Sequence, residues 1–415
     1  MYELFSMGIA LAAFIVLIRW KVKIGLAMVL TSFALEALLR VSPLELYRAA
    51  VVEWQTQPLG QTTGYLFFSL AALVNFVNVL GLAMQEANIS QRLAPAIQTL
   101  FRSRRFALCT IPLLMGLLPT PGGIMLSAPM VRDLGDNIGV SRTRTAAINF
   151  FFRHQWETIW PLFPAIPLIQ GMLGVSGMTL IKYNMIIPIF GSLGGVIFLL
   201  LIGIPPKKKI DAAGETWLAG VRVFWQAFWP IALVAGLHIA FNITPAIGIV
   251  VALCLFMLIH KVPLGRWRQL FYAGFEIDLV LLILGALLFK LNLQAGDSIA
   301  AVVRFFTEIN LPAGVLLFIL PMLVSALTGL TMPTVAITFP LLLPFMSPDG
   351  KVHLGYQTLA FSGLMCGMYL TPVHLCLTMS AGYFQTSLGK IVAMLIAPTL
   401  CVAAAGILAA ILFNL

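Results

Sequence analysis

LPTPGGI, residues 118–124, interrupts an apolar stretch that runs from Phe106 to Val131. Proline removes a backbone donor and glycine weakens the helical conformation, so no straight helix passes through it. Whether this stretch crosses a membrane or turns back inside it fixes the side of every later loop.

The solvent is set by composition. Of 415 residues, 60% are hydrophobic and 10% charged, and the mean hydropathy is +1.00. A water-soluble fold of this length cannot hide so much apolar surface. The chain therefore reads as an all-helical polytopic membrane protein. Met1 to Ile18 is apolar, lacks a basic leader and a small-residue cleavage site, and is followed by Arg19, Lys21 and Lys23; it reads as a retained first helix. The formal charge of +10 is spread over the ends of apolar spans, which points to membrane topology and not to nucleic acid. Five cysteines lie in apolar segments without metal-ligand spacing and read as core thiols. The chain has no GxxxxGK[ST], HExxH or GxSxG motif, so neither ATP-driven pumping nor the commoner hydrolase chemistries are supported, and no enzyme activity or cofactor is expected.

About 20 apolar residues are needed to cross a bilayer. Candidate crossings fall near 3–18, 24–40, 62–84, 145–174, 179–204, 216–240, 244–260, 276–292, 356–383 and 391–413, and two further apolar segments, 106–131 and 311–345, are broken in the middle. Treating both broken segments as re-entrant hairpins gathers Arg19, Lys21, Lys23, Arg92, Arg102, Arg104, Arg105, Arg132, Arg142, Arg144, Lys207 to Lys209, Lys261, Arg266 and Arg268 on one side. That side is then cytoplasmic, both termini are predicted external, and the protein belongs in the cell inner (plasma) membrane.

The same reading exposes a repeat. A polar, proline-bearing linker, 205–215, separates residues 1–204 from 216–415. Each half carries two crossings, a short polar-edged segment, a third crossing, a broken hairpin (106–131; 311–345), a crossing with a central proline (145–174; 356–383) and a last crossing. Five crossings per half is an odd number, so the second half enters the membrane inverted, as in many secondary transporters.

Unpaired backbone inside a bilayer is tolerated only where protein, water or ligand satisfies it. The first tip, Pro119, Thr120, Pro121, Gly122 and Gly123, with Ser127 just beyond, aims the start of a half-helix into the turn, which suits an anion. The second tip supplies Thr328, Gly329, Thr331, Pro333 and Thr334, followed by Thr338. The alternative is that both are kinks packed by neighbouring helices. In INFFFRHQWE, residues 148–157, Asn149, Arg153 and Glu157 recur at i, i+4 and i+8 and share one helix face. Arg153 suits a carboxylate or phosphate. Glu157 and His154 are candidates for a coupling proton, or Glu157 closes an ion pair on Arg153. Across the repeat, residues 367–379 offer Thr371, His374 and Thr378, the last as a further coupling-ion candidate. His154-x-x-Glu157 has the spacing of half a metal site, but the sequence shows no second such pair and no metal is expected. Lys290, His238 and other lone polar residues read as snorkelling or helix-to-helix bonding.

The proline-glycine hairpin followed by SAPMV, the NFFFRHQWE helix and the late TPVHLCL run resemble the domain of unknown function 401 family of integral membrane proteins, over essentially the whole chain. That family is placed in the ion transporter superfamily with gluconate, citrate, dicarboxylate and arsenite carriers. The resemblance implies two inverted repeats, each with a re-entrant hairpin and a broken helix, an elevator-like carrier and a homodimer. Dicarboxylate members carry Ser-Asn-Thr at each tip; here the tips read Pro119 to Gly123 and Thr331 to Thr334. The function expected is secondary transport of a small organic or inorganic anion driven by a proton or sodium gradient. Cation/proton antiport and lipid-phosphate flipping are the alternatives.

Overall fold

The computed structural model describes residues 2–87, 104–117, 124–204, 217–296 and 298–413. Regular structure among them is helical, without a strand. The first half comprises α1 (Tyr2–Arg19), α2 (Ile24–Leu39), α3 (Pro43–Thr56), α4 (Thr63–Glu86), α5 (Arg104–Met115), α6 (Ile124–Asn137), α7 (Arg142–Arg153), α8 (Ala165–Leu173), α9 (Gly177–Asn184) and α10 (Ile186–Gly195), which continues as a π-helical turn to Leu201. The second comprises α11 (Trp217–Phe241), α12 (Pro245–Ile259), α13 (Leu264–Gly274), α14 (Ile277–Ala295), α15 (Ser298–Glu308), α16 (Ala313–Thr328), α17 (Thr331–Met346), α18 (Leu354–Leu370), α19 (Leu375–Tyr383) and α20 (Leu388–Leu412). The linker 205–215 lies outside the described residues.

Six of the described helical segments are long and apolar enough to cross a membrane: Tyr2–Arg19, Thr63–Glu86, Gly177–Leu201, Ile277–Ala295, Leu354–Tyr383 and Leu388–Leu412. Counting two bent pairs as single spans gives eight. This is a multi-pass membrane protein. Ten crossings were expected from apolar length. The difference has local causes: α12 is short, α11 is bent by 61°, α2 turns into α3 at 106°, and 145–174 is not one helix.

The helices sort into two packing groups. In one, α2 lies along α14, α4 packs on α12 and α13, and α1 and α11 flank them. In the other, α5 and α6 pair as a hairpin, α16 and α17 pair as a second, and α7, α10, α18, α19 and α20 close around them. The α16–α18 contact is close: a Cβ on Gly367 would stand 2.1 Å from the Met322 carbonyl oxygen, so only glycine lets the two helices meet there. The groups touch where α14 and α15 pack on α17 and α4 packs on α8.

Helix starts and stops follow side-chain chemistry. Ser42 and Glu45 form a capping box on α3, and Thr62, Ser141 and Ser176 cap α4, α7 and α9. Arg144 donates through Nη1 to the Phe198, Leu199 and Ile202 carbonyls, setting a cation on the last turn after α10. On the loop between α17 and α18, the Lys351 N–H and the His353 side chain hold the Asp349 carboxyl below its ordinary range.

One ion pair ties the short helix α3 to the first packing group. Lys290 Nζ lies 2.9 Å from Glu53 Oε1, both side chains are buried, and Glu53 Oε2 also accepts from the Thr63 N–H at 2.9 Å. Lys290 is thus a paired structural cation rather than a snorkelling one. Removing one partner leaves an uncompensated buried charge, which costs about 3–5 kcal/mol. Lys290→Met and Glu53→Gln are each expected to lower thermal stability strongly in detergent, and the double variant to recover most of the loss. Simple addition of the two losses in the double would show that the pair does not act as a unit.

Candidate functional site

Four interruptions of helix meet at one place. A cavity of about 230 Å³ is walled by Arg153 at the end of α7 with His154 and Glu157 just beyond it, by Leu330, Thr331, Met332 and Pro333 at the second hairpin's turn, by His374 and Cys376 at the α18–α19 break, and by Gly116 at the end of α5. Across from them stand Val74, Val77 and Asn78 of α4 with Leu279 and Leu282 of α14. The cavity therefore sits on the seam between the two packing groups.

The first break is made by its own side chains. His154 Nδ1 lies 2.7 Å from the Phe150 carbonyl and Gln155 Nε2 donates to the Phe151 carbonyl at 2.9 Å. These are the carbonyls that the backbone N–H groups of residues 154 and 155 would take in a continuing α-helix. The chain tightens instead into the short 3-10 turn Gln155–Thr158, and α8 begins only at Ala165, beyond Pro161 and Pro164. The sequence placed Asn149, Arg153 and Glu157 on one helix face; the helix ends at Arg153, and Glu157 reaches the cavity from the turn.

Each hairpin's first arm is closed by the broken helix that follows it. Arg153 Nη1 donates to the Met115 carbonyl and Trp156 Nε1 to the Leu113 carbonyl, both at 2.9 Å, at the end of α5. In the second half Thr371 Oγ1 donates to the Ala326 carbonyl and His374 Nδ1 bonds the Gly329 carbonyl. Gly329 adopts φ +69, the left-handed turn that ends α16. The breaks are also tied to each other: Gln155 Nε2 donates to the Tyr369 hydroxyl at 3.1 Å, and that hydroxyl donates to the His154 carbonyl at 3.3 Å.

The titratable groups gather within this frame. His154 Nε2 and His374 Nε2 face each other at 3.1 Å, and Glu157 Oε1 lies 3.8 Å from His154 Nε2. The Thr331 hydroxyl lies against Glu157. Phe150 packs on both imidazoles, with ring centroids 4.6 and 5.3 Å away. Arg153 Nη1 is directed to the Met115 carbonyl, while Glu157 Oε1 lies beside the His154 imidazole. Three helices, α8, α17 and α19, start at the cavity wall, and none of these starts has a side-chain cap. Their first-turn N–H groups and positive dipole ends suit an anion.

Of the residues proposed from sequence, Arg153, His154, Glu157, Thr331, Pro333 and His374 line the cavity. Others support it without lining it. Ser127 Oγ donates to Asn149 Oδ1 at 2.6 Å, pinning α6 to α7. Thr328 and Thr334 share a hydrogen bond at 3.1 Å inside the second turn, and Thr338 bonds the Thr334 carbonyl one turn along. Thr378 is exposed, bonds the Leu375 carbonyl and does not line this cavity. Pro119, Thr120, Pro121, Gly122 and Gly123 lie outside the described residues. Sequence reasoning missed Cys376 and Asn78; His374-x-Cys376, at the break matching His154-x-x-Glu157, was the available signal.

A second cavity of about 320 Å³, lined by Gln61, Gln170, His238 and Asn242 among others, holds no comparable cluster. His238 is satisfied on both sides, by the Ile243 carbonyl at 2.9 Å and by Gln170 at 3.2 Å.

Residues 3–413 match the family described as Protein of unknown function (DUF401), and the chain belongs to that family. No curated protein matches it.

Two glycines separate packing from helix propensity. A Cβ on Gly116 would stand 2.0 Å from the Arg153 carbonyl oxygen, whereas one on Gly382 meets nothing within 4 Å. Gly116→Ala is expected to destabilise the purified protein by about 1–3 kcal/mol or to unfold it, while Gly382→Ala stays within about 0.5 kcal/mol of the parent. Equal melting temperatures for the two variants would mean that α5 does not end against Arg153.

Proposed function

We propose that this member of the DUF401 family is a secondary active transporter of a small organic or inorganic anion, driven by a proton or sodium gradient. The observation that carries this reading is the convergence of four helix interruptions on one buried cavity that holds Arg153 and three uncapped helix starts. An intramembrane charge beside broken backbone is a substrate or ion pathway by default. The cavity's volume of about 230 Å³ lies below the roughly 300–1,000 Å³ of pockets for drug-sized ligands, which favours a small ion over a lipid headgroup.

Two further features support the mechanism. The order of helices recurs in the two halves, and several packing pairs recur with the halves exchanged: α2 on α14 answers α12 on α4, and α8 on α17 answers α19 on α6. This favours the inverted-repeat plan and membership of the ion transporter superfamily. Second, every ionisable group at the cavity belongs to the hairpin group, whereas the facing wall is Val74, Val77, Leu279 and Leu282, with Asn78 its one polar member. A wall without charge holds no part of the ligand set back as the hairpin group slides along it, which is what an elevator requires. On this reading the protein resides in the inner membrane with both termini outside, and the first packing group supplies a homodimer interface.

Arg153 tests the reading. Arg153→Lys keeps the charge and loses the planar fork, so in proteoliposomes loaded against carboxylates and oxyanions it should raise the half-saturating concentration about tenfold or more. The Arg153→Gln, Glu157→Gln double variant should bind and transport no better than Arg153→Gln alone. A double variant restored to parental uptake would sink the anion-ligand role.

A further inference from the structure

Each imidazole of the facing pair has one nitrogen fixed by the backbone. His154 Nδ1 bonds the Phe150 carbonyl and His374 Nδ1 the Gly329 carbonyl. A carbonyl oxygen only accepts, so both Nδ1 atoms carry hydrogen. A neutral imidazole has a single N–H, and both Nε2 atoms therefore present lone pairs. The two acceptor nitrogens stand 3.1 Å apart, in surroundings where both side chains are about 5% exposed or less. Two acceptors in that position repel unless a cation lies between them.

We infer that His154, His374 and Cys376 form a site for a borderline transition-metal dication such as Zn²⁺ or Co²⁺, seated between the two broken helices, with Glu157 beside the remaining position. Ligand atoms of the three residues lie within 4.8 Å of one another. Two nitrogens bound to one tetrahedral ion at about 2.0–2.1 Å stand roughly 3.3 Å apart, close to the separation observed. Cys376 lies in the first turn of α19 at the cavity wall and needs to close to about 3.6 Å from the nitrogens to share the ion. A backbone carbonyl on the far nitrogen is the usual support of a metal-bound histidine, since it fixes both ring and tautomer, and here both rings have it. The thiol selects against Mg²⁺ and Ca²⁺. With the Cys376 thiolate and the Glu157 carboxylate, a dication leaves the cluster formally neutral. Three protein ligands leave a position open, the arrangement of an exchangeable ion rather than a locked structural one.

This inference stands apart from the transport reading, because it concerns binding to the purified chain without a gradient. Tag-free protein in nanodiscs is titrated with Co²⁺. One ion per chain is expected, with the near-ultraviolet band of a thiolate–Co²⁺ bond and the intense visible bands of a tetrahedral site. Cys376→Ser should abolish the near-ultraviolet band, Cys401→Ser should retain it, and His374→Gln should weaken binding at least about tenfold. If Cys376→Ser does not fold, His374→Gln and His154→Gln carry the test through affinity. Folded parent that binds no Co²⁺, which would leave a shared proton between the rings, overturns the inference. So does a charge-transfer band that survives Cys376→Ser.

Discussion

A backbone amide or carbonyl left unpaired in hydrocarbon costs several kcal/mol, and in this multi-pass protein four helix ends meet at one cavity. The structure meets that demand by making each interruption cap another. The last carbonyls of α5 are taken by Arg153 and Trp156, and those of α16 by Thr371 and His374. The hydroxyl of Tyr369, near the end of α18, closes on the His154 carbonyl after α7. Polar residues are therefore required at these places whatever the cargo, and Arg153 and His374 serve the backbone and the cavity at once. A substitution there is felt first as lost fold, which is why binding and folded yield must be read together at these positions.

Elements with local causes were legible in the sequence. Proline and glycine inside the apolar runs marked the α16–α17 turn and the ends of α7 and α18, and, apart from 145–174, most of the described helices begin and end within a few residues of the spans read from hydropathy. What escaped was long-range pairing. Glu53 and Lys290 are 237 residues apart with nothing near either to announce its partner, and His154 and His374, 220 apart, fall opposite each other across the repeat with no sign in the sequence that they touch. The shared face of Asn149, Arg153 and Glu157 failed for another reason. Periodicity assumes a continuous helix, while the side chains of His154 and Gln155 take the carbonyls that would have continued it. Thr378 lies off the cavity; a hydroxyl bonded within its own helix carries the same sequence signal as one facing a ligand.

The division of labour across the seam links this geometry to function. The hairpin group holds the charge, the imidazoles and the thiol; the opposite wall is nearly all aliphatic. Dispersion contacts between aliphatic side chains vary little along a helix face, so such a seam tolerates sliding. A buried ion pair across it would not. The ion pair that the first group does contain, Glu53 with Lys290, joins α3 to α14 within that group and leaves the seam free.

Alternating access of this one cavity is the central claim, and Cys376 reports on it without knowledge of the cargo. With the other four cysteines replaced and metal removed by chelation, its reaction with a membrane-impermeant thiol reagent can be followed in right-side-out and inside-out vesicles. The expected result is modification from both sides, because in the proposed mechanism the cavity opens to each in turn. Modification confined to one side, with the protein folded in both preparations, would contradict it.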